Sequence, residues 1–284
     1  MNPIVIKAQR ILAYSNVWVA ASVAALTWLS QLLLGTQNLR YTALTFFATL
    51  GFYSYSRFYQ GATLGTNESK VTRWQSGKSK LLVAVIFVCT AISSYIAFSF
   101  HIKSLVILGF AAIISLVYPL PYILGRWQGI RHIAGLKLFI IALIWTLVTF
   151  VVPAIQSDLS WDRQTLILGA QRFFIITAIT IPFDVRDKEI DHPDIKTLPM
   201  VIGSRNALMV GVFCIFGVEL SILLQYFQHG LFSGWQTFGL FLGLEIMMLF
   251  IHRALPVKND LYYSFALEGT PIYLAVIVYV FSLF

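Results

Sequence analysis

Residues 181–194 read Ile-Pro-Phe-Asp184-Val-Arg186-Asp187-Lys-Glu-Ile-Asp191-His-Pro-Asp194. The chain holds twelve acidic residues in 284 positions. Five of them stand between Asp184 and Asp194, directly after an apolar run. Such a concentration of acids at the end of an apolar segment needs a reason in what surrounds it.

The surroundings are those of a membrane protein. The chain is 58% hydrophobic and 11% charged, with mean hydropathy +0.78. A soluble domain carries about 25% charged residues, so this chain lacks the means to cover a water-facing surface. A spanning helix needs about 20 mostly apolar residues. Nine such runs occur, at 11–34, 41–60, 81–100, 103–124, 134–156, 164–183, 207–228, 236–254 and 262–284. None shows the period-two alternation of a membrane barrel. The first run exceeds the roughly 7–15-residue apolar core of a signal peptide and reads as a retained span. The expected fold is all-α: one integral membrane domain over 1–284, with nine transmembrane helices. Cys89 and Cys214 fall inside apolar runs and make no disulfide framework.

Charge orients the chain. Sixteen of the twenty Lys and Arg lie at the N-terminus or around the connections after the second, fourth, sixth and eighth runs. Cytoplasmic loops are enriched in Lys and Arg, so the N-terminus is expected to be cytoplasmic. The net charge of +8 is then a matter of topology. It does not point to nucleic acid, whose readers present a basic face on a folded module.

Asp184, Asp187 and Asp191 follow the spacing i, i+3, i+7, which places them within about a 60° arc of a helix. Arg186 and Glu189 fall on other faces, and Pro193 ends the helix. Three like charges on one face repel unless a cation sits among them. Mg²⁺ takes one or two carboxylates together with waters and phosphate oxygens, and in that role would stabilise a diphosphate leaving group. The plainer alternative is a solvated acidic loop.

The stretch Asp184-Val-Arg-Asp187-Lys-Glu-Ile-Asp191, followed by Ile195-Lys196-Thr197-Leu198-Pro199 and Gly203, resembles the second aspartate-rich motif of the UbiA superfamily of membrane prenyltransferases. The resemblance implies a helical bundle around a central cavity, with Mg²⁺ held by Asp184, Asp187 and Asp191 as the catalytic and metal-binding residues, and Lys196 on the diphosphate. It implies a prenyltransferase that passes a prenyl group from an isoprenoid diphosphate to an aromatic or lipidic acceptor, or cyclises it. The implied location is a multi-pass protein of the bacterial plasma membrane, with the lipid bilayer, the isoprenoid diphosphate and a hydrophobic acceptor as partners.

The chain departs from the family in two places. The family's first acidic motif, NxxxDxxxD, has no counterpart: Tyr53-Ser-Tyr-Ser-Arg57-Phe-Tyr-Gln-Gly61 contains no acid, and the nearest is Glu68. The family's YxxxK keeps Tyr118 and loses the lysine, with Arg126 and Arg131 close behind. A guanidinium binds phosphate oxygens bidentately, so Arg57 and Arg73, with Arg126 or Arg131, are candidates to replace one metal. Two further readings stand beside the enzyme. One is a non-catalytic descendant that binds a polyprenyl or quinone-like lipid or a partner protein. The other is a transporter, disfavoured by the lack of paired repeats with broken helices. Arg172, about nine residues into the sixth run, should face a partner or a wet cavity at membrane depth; Glu219, Glu245 and Glu268 are candidate partners, and a polar substrate pocket is the alternative.

Overall fold

The computed structural model describes residues 3–63, 78–117, 136–188, 196–254 and 259–284. They form helices α1 (Pro3–Tyr14), α2 (Val17–Leu33), α3 (Leu39–Thr63), α4 (Ser79–Ala97), α5 (Ile102–Val117), α6 (Leu136–Gln156), α7 (Arg163–Asp187), α8 (Leu198–Ile202), α9 (Ser204–His229), α10 (Gly234–His252) and α11 (Tyr262–Phe281). No strand occurs among the described residues.

Six of these helices, α4, α6, α7, α9, α10 and α11, are long and apolar enough to cross a membrane, and the bent pair α1–α2 would make a seventh. Each of the nine apolar runs coincides with a helix, but two fall short of that test. Helix α3 has the length, 25 residues, yet Tyr53-Ser-Tyr-Ser-Arg57 dilutes its apolar character. Helix α5 is described over 16 residues only. The first run also starts later than expected. The chain bends by 69° between α1 and α2, where Asn16 takes a left-handed φ of 65°, a conformation that a short polar side chain tolerates. The straight helix therefore begins at Val17 rather than Ile11. Helix α1 leaves Ile4, Val5, Ile11 and Leu12 exposed.

Prolines and bulges shape the bundle. In α6, Pro153 has no N–H to donate, and the turn before it opens into a π segment at Leu147–Val151. Thr146 and Thr149 donate their hydroxyls to the carbonyls of Ala142 and Trp145, both at 2.7 Å. In α7, Pro182 leaves the Ala178 carbonyl without its helical donor. Gly211 of α9 packs over that carbonyl, where a Cβ would lie 3.3 Å from the oxygen.

Helix α11 opens with a second π segment, Tyr262–Leu267. Pro271 cannot donate to Leu267, and the Thr270 hydroxyl does so instead at 2.7 Å. Trp18 of α2 donates its indole N–H to the Phe265 carbonyl at 2.7 Å and stacks on the Phe265 ring at 4.3 Å. The Ser22 hydroxyl donates to the Glu268 carbonyl. Gly269 makes room for Trp18, whose ring would stand 2.9 Å from a Cβ there. The largest buried core joins α2, α7, α9, α10 and α11 around Ile181, Ile215, Leu244, Met247 and Leu274.

Candidate active site

An apolar cavity of about 500 Å³ lies among α2, α3, α4, α5 and α6. Its wall includes Phe47, Phe52, Tyr53, Gly109, Trp145 and Val148. Val148 belongs to the π segment of α6, so the widened turn shapes the wall itself.

Charge gathers where α3 and α7 end and α6 begins. Asp184, on the last turns of α7, meets Lys137 at the start of α6, with Nζ 2.7 Å from Oδ1. Both side chains are nearly buried, at 3% and 11% exposed. Two buried charges taken out of water persist only as a close pair. One turn on, Arg186 donates to Asp187 through Nε at 2.7 Å and Nη2 at 3.2 Å. Its guanidinium also lies over the rings of Phe183 at 5.2 Å and Tyr263 at 5.5 Å. The expectation that Arg186 points away from the acids is therefore corrected: its long side chain swings back across those rings onto its neighbour.

Arg57, near the end of α3, is within electrostatic reach of Arg186, Asp187, Glu268 and Tyr53. Glu268 feels both Arg57 and Arg186. Tyr53 thus belongs at once to the cavity wall and to the surroundings of the charge cluster. The structure brings together Asp184, Asp187 and Arg57 from the residues expected at the site. It adds Lys137, Arg186, Glu268 and Tyr263, which the sequence did not single out for it. Lys196 is exposed, with a left-handed φ of 38°, at the turn that Thr197 closes ahead of α8. Asp191, Arg73, Arg126, Arg131 and Tyr118 lie outside the described residues.

Arg172 has a different partner from those expected. Its Nη2 donates to the Ser30 hydroxyl of α2 at 2.9 Å. Glu268 sits with Arg57 and Arg186, and Glu219 interacts with Glu245. On the other side of the chain, Asp162 caps α7, accepting from the Thr165 N–H at 2.8 Å. That bond holds its carboxyl below the usual carboxylate range.

The cluster sets cations against acids. Lys137, Arg57 and Arg186 offer donors suited to phosphate oxygens. Asp184 and Asp187 are oxygen donors one helical turn apart, the type a hard divalent cation takes. Among the described residues no group of three His, Cys, Asp or Glu is placed to hold a metal ion. Helix α3 presents Arg57, not an acid, toward Asp187 and Glu268.

A scan against protein-family models found no match, and neither did a search of curated protein sequences. Solved structures do match. A UbiA homolog from Aeropyrum pernix K1 superposes with TM-score 0.65 at 14% identity, over 92% of this chain and 97% of that one. A UbiA homolog from Archaeoglobus fulgidus bound to GPP and Mg²⁺ gives TM-score 0.60 at 12% identity, over 96% and 98%. A digeranylgeranylglyceryl phosphate synthase gives 0.58 at 15%, over 98% and 97%. The chain has the fold of these UbiA homologs along nearly its whole length.

Proposed function

We propose that this chain is a divergent member of the UbiA superfamily of membrane prenyltransferases. It binds an isoprenoid diphosphate with Mg²⁺ and transfers the prenyl group to an aromatic or lipidic acceptor, or cyclises it. The observation that carries this reading is the shared wall: an apolar cavity of about 500 Å³ and a cluster of buried charge meet at Tyr53. The prenyl chain occupies the cavity, and the diphosphate lies against Arg57, Lys137 and Arg186. Lys196, Arg73, Arg126, Arg131 and Tyr118 complete the diphosphate side. The solved UbiA homolog with GPP and Mg²⁺ supports the assignment of ligand class.

Asp184 and Asp187, with Asp191, would hold the Mg²⁺ through their carboxylate oxygens. When bound, the ion withdraws charge from the diphosphate and stabilises it as a leaving group. The guanidinium of Arg57 takes the place of a second ion, contributing fixed positive charge and paired N–H donors. The bond from the prenyl C1 to the diphosphate oxygen breaks, and its electron pair leaves with the diphosphate. The π faces of Phe52, Tyr53 and Trp145 stabilise the allylic cation that remains. The acceptor forms the new bond to C1 and gives up one proton.

The chain forms one domain over 1–284 with nine spans, α3 and α5 included. Its N-terminus and the charge cluster are on the cytoplasmic side of a bacterial plasma membrane, which the Lys and Arg distribution supports. The deciding experiment is a thermal shift in detergent with geranylgeranyl diphosphate, with and without Mg²⁺, beside Asp184→Asn and Asp187→Asn. A Mg²⁺-dependent rise in Tm that both substitutions abolish is expected, followed by diphosphate release on adding an acceptor. One observation favours a second reading, a non-catalytic lipid-binding protein: Asp184 and Asp187 are each already paired with a protein cation. That reading predicts a Tm rise with no diphosphate release under any condition.

A further inference from the structure

Arg172 lies on α7 among α2, α6, α9, α10 and α11, well away from the charge cluster, and is 4% exposed. A guanidinium stays protonated in proteins. Its Nη2 donates to the neutral Ser30 hydroxyl, which passes its own hydrogen to the Leu26 carbonyl at 3.1 Å. Its Nη1 is buried with no hydrogen-bond partner. No acidic side chain among the described residues acts on it. This is a full charge at membrane depth with no acidic counter-charge among the described residues, an arrangement that is costly unless something compensates.

A space of about 20 Å³ adjoins it, lined by Arg172, Ser30 and Gln171 with apolar Leu29, Phe150 and Leu244. That volume holds one particle of about the size of a water molecule. A water would accept a hydrogen bond from Nη1 and leave the charge uncompensated. A small anion would supply both. Gln171 continues a polar line out of the bundle: its Nε2 donates to Gln225 Oε1 and to the Ser221 hydroxyl, both at 2.7 Å. Gln225 in turn donates to Gln164 Oε1 at 2.9 Å, close to the exposed Arg163 at the start of α7.

We propose that Arg172, through its unpartnered Nη1, holds one monatomic anion of the chloride class in the space it shares with Ser30 and Gln171, built into the packed side of the bundle. The test replaces chloride with gluconate at constant ionic strength and follows thermal unfolding of the full chain in detergent. A saturable rise in Tm with chloride is expected for the native protein, and none for Arg172→Met. A second measurement needs no variant. Crystals grown in bromide should show an anomalous peak beside Arg172 Nη1. A chloride effect that persists in Arg172→Met, or bromide crystals with no anomalous peak there, would overturn the site and leave a water in that space.

Discussion

Helices α4 and α7 are both long and apolar enough to cross a membrane, yet 61% of the apolar window of α7 is buried inside the protein and only 11% of that of α4. The contrast extends to their neighbours. Around α7, the helices α9, α10 and α11 close into one core, and α10 comes so near α11 that a Cβ on Gly243 would stand 3.1 Å from Leu274 Cα. Around α4, the helices α3, α5 and α6 surround a cavity, and Gly109 of α5 has open space where its Cβ would be. Small residues let membrane helices approach closely, and here glycine has two uses: at Gly243 it brings backbones together, and at Gly109 it leaves room. One side is a scaffold and the other a container, and the buried charges lie where the two meet.

The largest expected effect comes from breaking that meeting line. Lys137→Met or Asp184→Ala takes a close counter-charge from a buried ion, and each should cost about 3–5 kcal/mol of stability, read as a lowered Tm. The double variant should recover much of that loss. If the single variants melt like the native protein, the pair does not join the two sides. Arg57→Ala should leave the scaffold's stability nearly intact and weaken diphosphate binding by about 1.5–3 kcal/mol, on the order of tenfold to a hundredfold in Kd, as measured by ligand titration. On the scaffold side, Gly243→Ala should destabilise by about 1–3 kcal/mol through overpacking against Leu274. Its counterpart Gly109→Ala, facing the cavity, should change stability by less than about 1 kcal/mol and in the favourable direction. Equal losses at the two glycines would erase the contrast. The smallest effect concerns the cap of α7. Asp162 has its carboxyl lowered by the Thr165 N–H, so its contribution is complete above the usual carboxylate range near pH 4. It fades as pH falls through the lower folded value. Asp162→Ala should remove that part of the acid dependence in a pH series of Tm.

The helices were legible in the sequence because a membrane demands long apolar runs and punishes interruptions. Their two kinds of environment were not. Lipid tails are as apolar as leucine, so α4 and α7 carry similar composition while one faces lipid and the other faces protein. The 69° bend was signalled only by Asn16, and nothing short of backbone geometry distinguishes that residue from any polar break. Helical spacing placed Asp184 and Asp187 on one face, because that relation is local. It had no means of finding Lys137 for Asp184, 47 positions away, or Ser30 for Arg172, 142 positions away. Arg186 was misplaced for another reason: spacing gives the direction of a Cβ, whereas a long guanidinium side chain follows the rings it can lie over.

Trp18 and Phe265 are 247 positions apart. At about 5–20 residues per second of synthesis, roughly 12–50 s separate the appearance of the indole N–H from that of the carbonyl that accepts it. For that interval α2 sits in the membrane with Trp18 and Ser22 lacking their eventual partners. The container side has its helices long before the scaffold side can hold them. The nascent protein therefore has a period in which it is greasy, inserted and unlocked, and the turn around Gly269 marks the moment that period ends.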